Sequence, residues 1–387
     1  MKAHWIILPL LAAFPRATSA QQIPRKSIED SVIGWIKVYK FTGPRAPMTV
    51  DAKRYSAIQL SIADSLANWV QTSYTPKGAL GDVVRTVSPK LGLYNKNDAA
   101  LPQTYGVYAK SYLELKYDAN RKLVPFTNSH LYWSIKANGV FGEPVQVLNT
   151  PTEYYFLIPD FGAARVSPEM ARYDASHHPA LKPFITYFNN QLKSSTANGT
   201  FVLLSKDNKL PFIKVSRGEY LEKLAGAVER KYAAEKEYAI KSWPEGNARA
   251  NALRDADNRH AKRVSLLASN REKYAARLAE AAEVFSLQPD ELLENYQDPF
   301  EGSGASASRF PVYGIDPGMA ELAKTDKPQW ILVTWDGDLQ DPAGKQLHDA
   351  ILNNFDFQYV HDFFFDPERV SGRSYKPLRS PDAVGRP

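Results

Sequence analysis

Polar and apolar residues alternate along much of the chain between about residues 100 and 215. The alternation is strict over residues 113–117 and 131–135, and short apolar runs follow at 154–158 and 201–204. Successive side chains of an extended strand point to opposite faces, so the pattern predicts strands with one buried and one solvated face. With turn-forming residues between them, they predict a mostly antiparallel sheet with flanking helices, an α+β fold.

Two other segments show the three-and-four spacing of an amphipathic helix. The first covers residues 51–73, and Asp51 occupies the position of its N-cap. The second covers residues 167–192, where Ile185, Phe188 and Leu192 share one face. We therefore predict a helix in each segment.

The clearest pattern lies at residues 219–241 and 247–285, which are rich in Ala, Glu, Lys, Arg and Leu. Their apolar stripe is narrow, as in a coiled coil. Proline and glycine at 243–247 interrupt the run, which favours an antiparallel helical hairpin over a kinked rod. The second helix would be about 58 Å long at 1.5 Å per residue. Ser216 and Glu219 have the spacing of a capping box.

The C-terminal part predicts a small α/β unit of strand, helix and strand. Residues 330–335 form a continuous apolar run, which is typical of a strand buried on both faces. Asp341 followed by a proline marks the start of a helix. The aromatic run at 355–365 predicts the last strand.

These segments divide the chain into five predicted parts. They are a signal peptide (1–20), an α+β domain (21–215), the helical hairpin (216–296), a Gly- and Ser-rich linker (297–309) and the C-terminal unit (310–387). We expect the C-terminal unit to pack on the α+β domain.

Composition narrows the classes of function. The 387 residues carry a net charge of +6, but basic and acidic residues are interleaved, whereas nucleic-acid binders concentrate their positive charge. The chain has no cysteine, which excludes disulfides, thiolate metal sites and cysteine nucleophiles. We therefore expect no nucleic-acid partner and predict no cofactor from the sequence.

The first twenty residues indicate export. Lys2 precedes an apolar run at 6–14, and small residues follow at 18–20. This order is typical of a signal peptide that is cleaved before Gln21, and the run is too short to span a bilayer. No other stretch is apolar enough to cross a membrane. We therefore predict a periplasmic or extracellular protein.

Three carboxylates crowd the segment after the buried strand at 330–335. Asp336, Asp338 and Asp341 offer the oxygen ligands that Ca²⁺ prefers, and His348 lies one or two helical turns further on. An EF-hand would need a bidentate glutamate at the end of its loop, which this segment lacks. The segment is therefore either a metal site or a polar turn with a capping aspartate.

Aromatic residues are dense between residues 94 and 156, and Tyr132, Trp133 and Tyr154 are the candidate binding residues among them. Exposed rings at these positions would stack on a carbohydrate or a peptide. The alternative is that strands simply favour aromatic residues.

Three hypotheses of function follow. The first is a non-enzymatic binding or interaction protein of the cell envelope, since no catalytic motif is present. The second is a carboxylate- or metal-dependent hydrolase with its site in the 336–348 loop. The third is an envelope scaffold that binds a protein partner, or a second copy of itself, through the helical hairpin.

Overall fold

A computed structural model describes most of the chain after the predicted signal peptide. The described residues are 22–40, 43, 45–50, 53–87, 100–158, 174–190, 198–286, 289–302, 309–336 and 339–379. The predicted signal peptide and Asp338 lie outside these residues, as do Asp51 and positions 303–308 of the predicted linker.

The largest element is a six-stranded antiparallel sheet. Its strand order is β10-β11-β15-β7-β4-β3, so the C-terminal strand β15 lies between strands from the middle of the chain. Alternation along β7 places Trp133 and Ile135 on one face and Tyr132 and Ser134 on the other. The strands are β3 (Leu80–Thr86), β4 (Tyr105–Tyr112), β7 (His130–Ala137), β10 (Ile185–Asn190), β11 (Asn198–Ser205) and β15 (Trp330–Asp336).

A second antiparallel sheet has the order β12-β14-β9-β8, with β13 paired to β14. Two short hairpins, β1-β2 and β5-β6, complete the described strands. The remaining strands are β1 (Met48–Val50), β2 (Lys53–Tyr55), β5 (Leu115–Tyr117), β6 (Leu123–Pro125), β8 (Glu143–Pro144), β9 (Tyr155–Leu157), β12 (Phe212–Lys214), β13 (Glu283–Val284) and β14 (Phe310–Ile315).

The α-helices of the described residues confirm the α+β class. None of them combines the length and the apolar character that a bilayer span requires. They are α1 (Ala57–Ser73), α2 (Arg217–Ser242), α3 (Asn247–Lys273), α4 (Pro289–Glu294), α5 (Pro317–Leu322), α6 (Pro342–Asn354) and α7 (Phe357–Phe365).

The main core lies between one face of the six-stranded sheet and helices α1, α6 and α7. Trp133 and Trp335 are fully buried in it, and Phe355 packs edge-on against Trp133. A second core fills the space between the two sheets and is rich in phenylalanine. Large apolar side chains therefore hold the sheets and these helices together.

Helix α1 begins later than the sequence predicts. Residues 53–55 form strand β2, and the N-cap is Ser56, whose Oγ accepts from the Gln59 amide while the Gln59 side chain accepts from the Ser56 amide. The prediction that the helix runs from Asp51 is therefore wrong. The pairing of β2 with β1 keeps residues 53–55 extended.

The helical hairpin is present, and its turn occupies residues 243–246 as predicted. Its second helix ends at Lys273, so it is about 40 Å long and not 58 Å. Its interior is also more polar than a coiled-coil seam. Val264, which the predicted stripe included, is 42% exposed, whereas the Arg263 side chain is 1% exposed.

One predicted strand and one predicted helix are wrong. The aromatic run at 355–365 forms helix α7, which Asp356 caps by accepting from the Tyr359 amide. The predicted helix at 167–192 is in part strand β10, because residues 185–190 pair with β11. In both cases tertiary packing overrides the local pattern.

Candidate functional site

The predicted acidic loop does not form a cluster in the described part of the chain. Asp341 caps helix α6 by accepting from the amides of Ala343 and Gly344, and it pairs with Arg25 at 2.8 Å. Asp336 is buried, and its Oδ2 accepts from the backbone amide of Tyr132 at 3.2 Å. The contacts of Asp341 agree with the capping alternative, and Ca²⁺ binding with Asp338 stays a prediction.

His348 lies in the main core and does not join these carboxylates. The indole N–H of Trp335 donates to its Nδ1 at 3.1 Å. Burial lowers the pKa of His348 to about 4, so the ring is neutral at physiological pH. The Nδ1 of this ring is occupied by Trp335, and the low pKa makes the imidazole a weak base. The hydrolase hypothesis for the 336–348 loop therefore gains no effective general base from His348.

The three candidate rings do not share a surface. Trp133 is fully buried, and Tyr154 is 5% exposed in the second core. Tyr132, on the opposite face of β7 from Trp133, stacks on Tyr108 with 5.7 Å between ring centroids. The prediction that Tyr132, Trp133 and Tyr154 form an exposed platform is therefore wrong. Alternation along the strand turns Trp133 inward.

Tyr132 and Asp336, predicted for two different sites, meet at one end of the six-stranded sheet. Burial and the Asp336 carboxylate raise the pKa of Tyr108 to about 12 and also raise that of Tyr132. The Asp336 side chain bonds to the Tyr132 amide and so continues the pairing of β7 with β15. This contact lies at the end of two central strands of the sheet.

A cavity of about 320 Å³ opens between the second sheet, the first turn of α2 and helix α5. This volume lies at the lower end of the range for small-molecule sites. Apolar residues of β12 and β14 supply much of its wall. Its polar and aromatic lining consists of Thr152, Glu153, Tyr154, Tyr155, Glu219 and Glu321.

Glu219 reaches this cavity from the third position of helix α2. Ser216 is the N-cap, since its Oγ accepts from the Glu219 amide at 3.1 Å. The reciprocal half of the box, present at Ser56 and Gln59 of α1, does not form here. Instead the Tyr155 hydroxyl donates to Glu219 Oε1 over a long 3.4 Å. The capping-box prediction is half right: the N-cap holds, but the carboxylate faces the cavity.

Tyr155 is the first residue of β9 in the second sheet, and its ring lies beside Gly314, the residue opposite it on β14. Its side chain is almost fully buried. Burial raises the pKa of the Tyr155 hydroxyl well above its usual range, and Glu153 and Glu219 raise it further. The hydroxyl therefore stays protonated and remains a hydrogen-bond donor at any physiological pH.

The charge of the cavity wall is negative. Glu153, Glu219 and Glu321 line it, and Lys223 pairs with Glu153 at 2.5 Å from just outside the lining. The pairing raises the pKa of Lys223, so this lysine keeps its charge. Lys324 pairs with Glu321 at 2.6 Å, so Glu219 is the lining carboxylate that has no ion pair among the described residues.

A second carboxylate cluster, on helix α7, joins His361, Asp362 and Asp366. Asp362 accepts from the Gln358 amide group at 2.8 Å, and Arg369 lies within 4.0 Å of both aspartates. The arginine supplies the positive charge that a metal ion would otherwise bring. We therefore treat this cluster as structural.

The sequence contains little that would have revealed the cavity. Glu153, Glu219 and Glu321 are far apart along the chain and come from a loop and two helices. The serine three residues before Glu219 also suggested a structural role for it.

No protein-family model, no curated protein and no solved structure matches this chain.

Proposed function

We propose that the protein is an exported binding protein whose acidic cavity takes up a small organic cation. The observation that carries the proposal is the convergence of Glu153, Glu219 and Glu321 on one 320 Å³ cavity. The proposal refines the binding hypothesis drawn from the sequence.

Charge supports a cationic ligand. Lys223 pairs with Glu153 and Lys324 pairs with Glu321, so the lining keeps an excess of one negative charge, that of Glu219, in the absence of a ligand. Glu222 adds to the field, since it contributes to the raised pKa of Tyr155. A partly enclosed wall of one sign concentrates ions of the opposite sign. An ammonium or guanidinium group would satisfy this excess.

An organic cation fits better than a metal ion. A hard cation needs several oxygen atoms within one coordination sphere. Among the described residues, no group of three acidic or histidine side chains at this cavity is close enough to provide that. The faces of the tyrosine rings, by contrast, can attract an alkylammonium group through cation–π interactions.

The test is isothermal titration calorimetry of the mature chain with 1,4-diaminobutane at low ionic strength. The matched ligand is 1,4-butanediol, which has the same chain but no charge. We expect heat and saturation with the diamine and none with the diol. The Glu219→Gln variant removes one negative charge from the wall, and we expect it to weaken diamine binding by at least about tenfold.

Glu272→Gln is the control variant. It removes the same charge from helix α3, where Glu272 is exposed and does not line the cavity. We expect its affinity to stay within about twofold of the original, because solvent screens exposed charges. Equal loss in both variants would show that the ligand responds to net charge and not to the cavity. Equal binding of the diol would show that charge does not select the ligand.

The exposed end of the hairpin favours a second candidate function, docking to a protein partner. Tyr238, Ile240 and Trp243 are 67%, 51% and 44% exposed near its turn. Large apolar side chains that are exposed at the tip of a hairpin are available to a protein partner. Light scattering of the intact chain against a Tyr238→Ser and Trp243→Ser double variant tests self-association. A monomer at every concentration would leave only a different protein as partner.

A further inference from the structure

An apolar groove of about 490 Å³ runs between helix α1, the end of helix α7 and the segment that follows α7. Ile58 and Ile62 of α1 form one wall, and Phe363 and Phe364 of α7 form the other. Val370 belongs to the main core and contributes to the lining. The groove shares no lining residue with the acidic cavity, so the two are separate candidate sites.

The apolar walls of the groove are both exposed and fixed in place. Ile58 is 53% exposed and Phe363 is 39% exposed, although both belong to helices that pack on the main core. The Phe363 ring packs edge-on against Trp69 at 5.2 Å and also contacts Tyr359. Because these contacts hold the ring, the groove is formed before any ligand arrives.

Two cations, Lys327 and Arg373, line the groove and are exposed. Neither side chain forms an ion pair with the residues that the structure describes, and no carboxylate lines the groove there. Their backbones are held in place. The Tyr359 hydroxyl donates to the Arg373 carbonyl at 2.9 Å, and the Gln329 side chain donates to the Lys327 carbonyl at 3.0 Å.

We infer that this groove binds an anionic amphiphile, a fatty-acid-like molecule whose alkyl chain lies on the apolar walls and whose carboxylate meets Lys327 and Arg373. Burial of the chain removes apolar surface from water on both sides. The two unpaired cations supply the complementary charge. A peptide fits less well, because its buried backbone would need hydrogen-bond partners that these apolar walls do not offer.

The test is calorimetric titration of the mature chain with octanoate, decanoate and dodecanoate below their micelle concentrations. Each added pair of methylenes buries more apolar surface, and affinity should rise by up to about fourfold per methylene. Dodecyltrimethylammonium, with the same chain and the opposite charge, should bind at least about tenfold more weakly than dodecanoate.

Two variants assign the binding to the groove. The Lys327→Gln and Arg373→Gln double variant removes both cations and should weaken dodecanoate binding by about five- to tenfold. A Lys206→Gln and Lys209→Gln double variant removes two exposed charges from a turn outside the groove and should leave binding unchanged. Ile58→Glu places a carboxylate on the wall at an exposed position, so it should fold normally and abolish binding.

Three results would overturn the inference. One is affinity that does not change with chain length, which would remove the apolar groove as the source of binding. Another is the same affinity in the Lys327 and Arg373 double variant as in the Lys206 and Lys209 control. The third is tighter binding of an apolar peptide with a free C-terminal carboxylate than of dodecanoate, which would identify a protein segment as the occupant. None of these results bears on diamine binding at the acidic cavity.

Discussion

The body around the six-stranded sheet and the helical hairpin are stabilised by different kinds of contact. In the body, Trp133 and Trp335 are fully buried among apolar neighbours. In the middle of the hairpin, the buried Arg263 guanidinium pairs with Glu235 at 3.0 Å and with Glu294 of helix α4 at 3.4 Å. Nearby, His260 stacks on Tyr232 and bonds to Glu229.

This difference predicts that the two regions differ in stability. Apolar burial gives a stable body, whereas ion pairs that are partly open to solvent add little net stability. The part of the hairpin beyond Val228 should therefore unfold locally at a lower free energy than the sheet. At the base of the hairpin, Leu221, Leu224 and Val228 pack in a third apolar cluster with residues of β9 and β14 in the second sheet. Glu219 faces the cavity from the same end of α2. The proposed site thus lies on the rigid part of the hairpin.

The largest effect expected from this comparison is at Trp335. Trp335→Ala should lower the free energy of unfolding by about 3–5 kcal/mol, because it leaves a cavity in the main core. Trp243→Ala, at the exposed end of the hairpin, should change it by less than about 0.5 kcal/mol. Urea denaturation followed by circular dichroism measures both. Similar losses in the two variants would remove the distinction between body and hairpin.

The next effect is the pH dependence that His348 gives to the body. Its pKa in the folded chain, about 4, lies below the ordinary value of 6.5, so the neutral form stabilises the fold. That stability is complete above pH 6.5 and is lost as the pH falls towards 4, by up to about 3 kcal/mol. His348→Gln should flatten the urea midpoint between these pH values. A variant with an unchanged pH profile would show that His348 does not titrate in this way.

The smallest effect concerns the ion pairs of the hairpin. Arg263→Met should cost about 1–3 kcal/mol, because it removes the buried partner of Glu235 and Glu294 and leaves Glu235 with the more exposed Arg259 at 3.1 Å. Adding Glu235→Leu should recover part of the loss. Hydrogen exchange of the α2 and α3 amides should show faster opening in the single variant, while amides of β7 and β15 stay protected. Equal acceleration in the sheet would mean that hairpin and body unfold as one unit.

Much of the fold could be predicted from the sequence because local patterns and packing agree there. Alternation identified β7, and the apolar run identified the strand at 330–335. Proline and glycine after residue 242 identified the turn of the hairpin. Each of these signals reflects a backbone preference that packing does not oppose.

The failures have a common physical cause. The spacing of Phe355, Phe357 and Tyr359 resembles a strand, but Asp356 caps a helix that buries Phe357 and Tyr359 in the main core. The spacing of Ile185 and Phe188 resembles a helix, but the residues pair with β11. Short segments with both patterns take the structure that their distant neighbours stabilise.

The cavity and the groove lay beyond prediction for a related reason. Glu153, Glu219 and Tyr155 come together only after helix α2 has packed against the second sheet. The sequence held one usable signal, a glutamate at the third position of a helix. Its side chain orientation, towards Tyr155 and away from the Ser216 amide, is decided by tertiary structure.

The most direct test of the central claim is a crystal structure of residues 21–387 with 1,4-diaminobutane. We expect an ammonium nitrogen about 2.8 Å from a carboxylate oxygen of Glu219 or Glu153, with the alkyl chain against the Tyr155 ring. The Glu219→Gln protein in the same crystals should show the diamine weakly or not at all. Density for the diamine at the hairpin or the groove, with the acidic cavity unoccupied at saturating concentration, would contradict the account.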